Sequence, residues 1–220
     1  MLLLLLPLTL WQADAKESAG FQRWEAAVAA LEASDRKNPP SPQSIFFAGS
    51  SSIRLWDLKK SFPNLETVNR GFGGSQIADS THFAPRLLLK HRPQQIVLYA
   101  GDNDLAAGKT AAQVADDFRA FAQVIHRSLP QTRIYFLAIK PSPARWKLFE
   151  EQKRANSLIK SQCESDARLI FVDVATPMLG PDGKPNPDLF VKDGLHLNEQ
   201  GYELWRKILQ PHLNRKDGTP

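Results

Sequence analysis

Three short stretches of this chain carry the residue types that acyl transfer requires. Gly49-Ser50-Ser51-Ser52 follows a strand-like run, Gly101-Asp102-Asn103-Asp104 follows another, and Asp193-Gly194-Leu195-His196 lies near the C-terminus. Between them they offer a hydroxyl nucleophile, an amide donor, a base, and a carboxylate to orient the base. Hydrolysis through an acyl-enzyme needs those four roles. A serine hydroxyl is a poor nucleophile until a neighbouring base takes its proton. On a strand-to-helix turn its oxygen is exposed near a helix N-terminus, which favours developing negative charge. Serines in that place also serve as helix caps, so Ser50, Ser51 and Ser52 divide the two tasks in an order the residues alone leave open.

Asp193 and His196 are three residues apart, so both side chains project from one turn. The carboxylate can hold one imidazole nitrogen while the other faces the serine; the plainer alternative is a local turn pair. His82, His91, His126 and His212 have no such partner nearby in sequence and read as surface positions. Asn103 and the backbone around Gly73-Gly74 are candidate oxyanion donors, because an amide and close-approaching N–H groups stabilise a tetrahedral oxyanion. Taken alone, Gly71-Phe72-Gly73-Gly74 is also consistent with a simple turn. Asp102 and Asp104 form a carboxylate pair of the kind glycosidases use. Flanking an asparagine on a tight turn, they read better as turn and capping residues.

The elements that must position these groups are legible as hydrophobic patterns. Residues 44–48, 95–100, 133–139 and 169–174 are short, nearly continuous apolar runs, the habit of strands buried on both faces. Residues 65–69 form a weaker fifth. Between them lie helical patterns. Residues 21–33 place Phe21, Trp24, Val28 and Leu31 on one face, and residues 111–129 carry a stripe of Val114, Phe118, Phe121, Val124 and Ile125. Residues 83–90 and 144–164 are further candidates, and Asn198 caps a terminal helix through Trp205 to Leu209. This alternation predicts right-handed βαβ units around a parallel sheet. Ligands bind outside the carboxyl ends of such strands, and the Ser50, Gly71–Gly74 and Asn103 stretches all follow strands. A Pro- and Gly-rich loop at 175–187 precedes the Asp–His stretch and is placed to shape a pocket.

The 220 residues suffice for one domain with a sizeable core. The net charge of +5 comes from 28 basic residues scattered among 23 acidic ones with no dense run, so no nucleic-acid partner is expected. The single cysteine, Cys163, excludes an intramolecular disulfide and, on a helical stretch, reads as a packed, inert thiol. No histidines have metal-site spacing, and neither metal nor other cofactor is expected. Residues 1–10 are almost purely apolar and Ala13-Asp14-Ala15 follows at a plausible cleavage spacing. That h-region is too short to span a bilayer, although a positive n-region is missing. The expected organisation is a signal peptide at 1–15, an N-terminal helix and linker at 16–43, a catalytic domain at 44–213 and a flexible tail at 214–220. The expected location is periplasmic or secreted, without stable membrane insertion after cleavage; the alternative is a cytoplasmic protein with an N-terminal extension. Nothing in the sequence sets an oligomeric state.

With these residues assembled, the chain resembles the SGNH hydrolase superfamily, the GDSL-type esterases and lipases. Phe47-Ala48-Gly49-Ser50-Ser51 resembles the family's first block and Asn69-Arg70-Gly71-Phe72-Gly73-Gly74 its second. Gly101-Asp102-Asn103-Asp104 is similar to the Gly-x-Asn-Asp of the third, and Asp193-Gly194-Leu195-His196 to the Asp-x-x-His of the fifth. The resemblance implies a three-layer α/β/α sandwich around a flavodoxin-like, five-stranded parallel sheet. It implies Ser51 as nucleophile, His196 as base, Asp193 as its orienting acid, and Gly74, Asn103 and the Ser51 N–H as oxyanion donors. The usual Asp before the nucleophile is Ser50 here, which makes Ser52 and then Ser50 the alternative nucleophiles. The implied activity is cofactor-free hydrolysis of a small-molecule carboxylic ester, an acetyl or short acyl ester of a sugar or lipid. Alternatives are a lysophospholipase or thioesterase of the same family, or a non-catalytic binding domain on the same fold. Arg70 and Arg145 are expected to meet an anionic group of the substrate.

Overall fold

Strands buried on both faces need apolar side chains pointing both ways, and that requirement fixes the centre of this protein. In a computed structural model, which describes residues 20–41 and 43–213, five segments, four of them mainly apolar, pair as a single sheet. They are β1 (Ile45–Gly49), β2 (Thr67–Gly71), β3 (Gln95–Tyr99), β4 (Arg133–Leu137) and β5 (Leu169–Val172). All neighbours are parallel, in the order β2-β1-β3-β4-β5. Alternate residues feed two cores. Phe46, Ala48, Ile96, Leu98, Ile134 and Phe136 face one, and Ile45, Phe47, Val97, Tyr99, Tyr135 and Leu137 face the other.

The first core is covered by α1 (Glu25–Lys37), α4 (Ile77–Leu87), α6 (Ala111–Ser128) and α7 (Phe149–Glu164). The second is covered by α8 (Glu199–Leu213) with two one-turn helices, α2 (Ser51–Arg54) and α3 (Leu58–Ser61). A further short helix, α5 (Asp102–Ala106), follows β3. The architecture is therefore the expected α/β/α sandwich. In this strand order the chain reverses direction of travel across the sheet between β1 and β3, the place where open α/β sheets open a crevice. Ser51 follows β1 and Asn103 follows β3, so the two stand on either side of it.

Several boundaries differ from the sequence reading. The first long helix runs Glu25–Lys37 rather than 21–33, because nothing breaks it before Asn38 and the prolines beyond. The helix expected at 83–90 begins at Ile77, where Gln76 and Asp79 form a reciprocal capping box. Residues 144–164 divide into a 3₁₀ stretch, Pro143–Leu148, and α7. Loop 175–187 contains a 3₁₀ turn at Thr176–Met178 and a bridge between Leu179 and Pro185, and it buries Met178 in the second core. His91 and His126 are not surface residues. His91 Nε2 lies 2.9 Å from Asp35 Oδ2, 56 residues earlier, and His126 Nε2 lies 2.9 Å from the carbonyl of Thr132, just past the end of its own helix, so both are drawn inward by hydrogen-bond partners. Cys163 is buried, and that burial pushes its thiol up to about 12, which leaves it protonated and unreactive. Among the described residues no helix is long and apolar enough to cross a membrane. The expected signal peptide and the 214–220 tail lie outside the described residues.

The carboxyl edge of the sheet is tightest at Gly49. Its φ is +126°, and a Cβ there would lie 1.9 Å from the Tyr99 carbonyl oxygen, a backbone atom that cannot rotate away. Gly49→Ala is expected to cost more than about 4 kcal/mol. Gly108→Ala, also at positive φ (+92°) but facing open space, is expected to cost about 1–2 kcal/mol. Urea denaturation of the two variants checks this ranking, and equal midpoints would contradict it.

Candidate active site

At the carboxyl edge, one peptide ties three loops together. The Gly49 carbonyl accepts from the Phe72 N–H (3.0 Å) and from the Ser75 hydroxyl (3.2 Å), while the Ser50 N–H donates to the Tyr99 carbonyl (2.9 Å). Ser50 is the N-cap of α2, but its hydroxyl makes no capping bond and is buried without a hydrogen-bond partner. Ser51 is the first residue of α2, so its own N–H is among those that have no partner within the helix. So short a helix needs outside support. The Asn69 side-chain amide donates to the Ile53 carbonyl (2.6 Å) and the Trp56 carbonyl (3.3 Å), and its Oδ1 accepts from the Gly71 N–H (2.9 Å). From α8, the Tyr202 hydroxyl donates to the Ser52 carbonyl (2.9 Å).

The Asp–His stretch reaches the same edge. Ser51 Oγ lies 3.0 Å from His196 Nε2, and His196 Nδ1 lies 2.6 Å from Asp193 Oδ2. The other carboxylate oxygen accepts from the backbone N–H groups of Leu195 (2.8 Å) and His196 (2.9 Å). Burial by itself raises the Asp193 pKa, but the His196 side chain and these two amides outweigh it and hold the carboxyl at about 2. An ionised carboxylate only accepts hydrogen bonds, so Nδ1 carries the imidazole proton and Nε2 presents its lone pair to the Ser51 hydroxyl. The turn is docked by the Ala144 N–H, which donates to the Gly194 carbonyl (3.0 Å), and by the Val191 N–H, which donates to the His196 carbonyl (2.9 Å). Asn198 Oδ1 accepts from the Gly201 N–H (3.1 Å), which caps α8 just beyond the base.

The amide of Asn103 is tied to the same loops through Ser75, whose hydroxyl donates to the Gly49 carbonyl. Its Nδ2 donates to the Ser75 carbonyl (3.0 Å), and its Oδ1 accepts from Arg145 Nη2 (2.9 Å). Gly74 has φ +77° and is exposed. The Trp24 ring lies 3.4 Å from where a Gly74 Cβ would stand. Asp104 is fully buried and shares the Ile77 N–H between its two oxygens (3.3 Å to each), with Lys109 Nζ at 3.0 Å. Burial raises its pKa against the pull of Lys109. Asp102 faces Arg145 and Lys140 instead. The two carboxylates therefore have separate cationic partners and do not form an acid–base pair.

Ser51, His196, Asp193 and Asn103 are thus brought together, with Gly74 on the neighbouring turn. Ser52 is buried, and the imidazole contact belongs to Ser51 among the three serines. The two arginines are placed differently from what was expected of them. Arg70 is buried in an ion pair with Asp35, with its guanidinium over the Phe46 ring, on the side of the first core. Its charge is neutralised inside the protein, which leaves it no face toward a substrate anion. Arg145 is at the site, but both its terminal nitrogens already have partners. Sequence reasoning missed the supporting roles of Asn69 and Tyr202 and the position of Trp24. Asn69 sat inside a recognised block and Tyr202 six residues beyond His196, whereas Trp24 gave no signal beyond its apolar helix face. An open groove of about 830 Å³ lies beside the site, lined by Leu55, Trp56, Lys60, Asn198 and Tyr202 among others, and by none of the four candidate catalytic residues.

The depressed Asp193 carboxyl has a measurable consequence. Folded Asp193 titrates near 2, below the usual value of about 3.9. Its contribution to stability is complete above pH 4, fades as pH falls from about 4 to about 2, and vanishes below. Half-exposed, the group contributes no more than roughly 1 kcal/mol after solvent screening. The stability difference between wild type and Asp193→Ala, measured by denaturant unfolding from pH 6 to pH 2, is expected to shrink over that window. A difference that stays constant to pH 2 would rule this out.

Comparison with known proteins places this arrangement among relatives. The sequence model of the GDSL-like lipase/acylhydrolase family matches residues 51–204. Bovine (Bos taurus) platelet-activating factor acetylhydrolase IB subunit alpha1 is 30% identical over 198 residues, which cover 83% of this chain and 79% of that protein. Among solved structures, a GDSL-like lipase from Bacteroides thetaiotaomicron superposes with a TM-score of 0.70 at 19% identity, covering 89% of this chain and 97% of the other. A catalytic mutant of an acetylxylan esterase from Geobacillus stearothermophilus gives 0.65 at 12% identity, covering 80% and 96%.

Proposed function

Since the chain belongs to the GDSL-like lipase/acylhydrolase family, we propose that it is a serine carboxylic ester hydrolase working through an acyl-enzyme. The observation that carries this reading is the relay from Ser51 Oγ through His196 to Asp193. His196 Nε2 takes the hydroxyl proton as Ser51 Oγ attacks the ester carbonyl, and the imidazolium is stabilised by Asp193. The carbonyl oxygen acquires negative charge and is met by the second N–H of the Asn103 amide and by the Gly74 and Ser51 backbone donors. His196 then returns the proton to the departing alcohol. Water, deprotonated by the same imidazole, attacks the acyl-Ser51 ester and releases the carboxylic acid.

Short acyl groups are the proposed substrates. A relative 30% identical to this chain is named a platelet-activating factor acetylhydrolase, which supports an acetyl group as the acyl part. Trp24, packed against Gly74, adds a bulky wall beside the oxyanion turn, which disfavours long acyl chains there.

Initial rates on p-nitrophenyl esters from acetyl to decanoyl test the reading. Ser51→Ala and His196→Ala are expected to lower kcat by on the order of 10⁴-fold or more. Asn103→Ala is expected to lose about 10²–10³-fold, and Ser52→Ala to stay within a few-fold of wild type. Acetyl and butyryl esters should turn over fastest. Wild-type rates no higher than those of Ser51→Ala on every ester would sink the proposal.

A further inference from the structure

The oxyanion side of the site has a polar support that the catalytic roles above do not use. Arg145, Asp102 and Lys140 gather directly behind Asn103. Arg145 Nη2 donates to Asn103 Oδ1 at 2.9 Å, and Arg145 Nη1 lies 2.9 Å from Asp102 Oδ2. Lys140 Nζ is 3.5 Å from the same carboxylate oxygen. Lys140 and Asp102 are buried, and the Arg145 side chain is 19% exposed. Desolvation pulls the Lys140 pKa down, and Asp102 pushes it back up. Such a cluster costs desolvation energy in a fold of this size.

Resting on the ester hydrolase reading above, we propose that Arg145 is a positioning residue that sets which way the Asn103 amide faces. A guanidinium has donors and no acceptor, so whatever faces it must be the amide oxygen. The Ser75 carbonyl has only lone pairs, so whatever faces it must be the amide nitrogen. The two partners enforce the same orientation from opposite ends. Nδ2 carries two protons; Ser75 takes one, and the other remains for the substrate oxyanion. A flipped amide would turn its oxygen toward the developing negative charge and oppose it. A guanidinium is a charge-assisted donor, so its bond to Oδ1 draws electron density from the amide and strengthens Nδ2 as a donor. Asp102 holds the guanidinium in place by an ion pair. The neighbouring Ala144 N–H docks the Asp193–His196 turn through the Gly194 carbonyl. One short stretch therefore aligns both the oxyanion donor and the base.

A kinetic double-mutant cycle of Asn103→Ala and Arg145→Ala on p-nitrophenyl acetate, a neutral ester, tests this. Arg145→Ala is expected to lower kcat by about 10- to 100-fold with KM within about threefold of wild type. In the Asn103→Ala background it should cost less than about threefold more, because Arg145 then has no amide left to orient. Arg145→Lys, a point charge that cannot bridge Asp102 and Asn103, should behave as Arg145→Ala. Methylguanidinium added to Arg145→Ala should restore part of kcat and should do nothing for the double variant. Losses that multiply independently, or a KM effect alone, would overturn the assignment, as would unchanged kcat. Circular dichroism and unfolding midpoints identify variants that fail to fold; should Arg145→Ala fail, Arg145→Lys carries the cycle. If the wild type hydrolyses no ester, the hydrolase reading fails separately. The amide orientation is then read by NMR of the Asn103 side-chain resonances, identified by their loss in Asn103→Ala. Resonances that do not move in Arg145→Lys would overturn the positioning role.

Discussion

The site depends on how closely β1 and β3 approach at their carboxyl ends. Gly49 sits so near the Tyr99 carbonyl that no side chain fits between them. At that point the chain turns sharply enough for Ser50 to cap a helix and Ser51 to start it. The Gly49 carbonyl closes the β1–β2 ladder by accepting from the Phe72 N–H, and it also accepts from the Ser75 hydroxyl of the next loop. Ser75 in turn accepts the Asn103 amide. A single backbone constraint thus passes from the proposed nucleophile to the glycine turn and on to the amide donor. Each arm of the site is locked by hydrogen bonds between loops rather than by the strands alone.

Electrostatics divide the site into two halves. On one side, Asp193 is surrounded by donors, stays ionised and fixes the imidazole tautomer. On the other, a cation stands behind the Asn103 amide. Under the proposed reading the Ser51 hydroxyl has an acceptor for its proton in His196, and the Asn103 amide is the donor for the charge its attack creates, the arrangement that lowers the barrier of acyl transfer.

The strands could be read from sequence because parallel strands buried on both faces must be apolar without interruption, as in Ile96 to Tyr99 and Ile134 to Leu137. The site blocks were legible because each packs its chemistry into a few consecutive residues. Asp193 and His196, for example, share one turn. What escaped the reading depends on partners distant in the chain. Arg145 on an irregular stretch invites a substrate, yet its charge is taken up by Asp102 and Asn103, more than forty residues earlier. Arg70 has the same outward signature and is consumed by Asp35. Nothing local distinguishes a guanidinium that awaits a ligand from one already bound within the fold. Trp24 likewise looks like an ordinary core position on an amphipathic helix. Only the packing of α1 against α4 brings it over the glycine turn. Helix starts were misread where a cap, such as Gln76 with Asp79, lay outside the apolar stripe used to find the helix.

The contact between Ser51 and His196 joins residues 145 apart in sequence. During synthesis, β1 to β4 and their loops emerge well before the turn that carries the base, so a chain still on the ribosome holds its nucleophile without a proton acceptor. The proposed activity therefore requires the C-terminal segment to have docked, and under that reading a chain truncated before His196 keeps its serine but loses the proton acceptor.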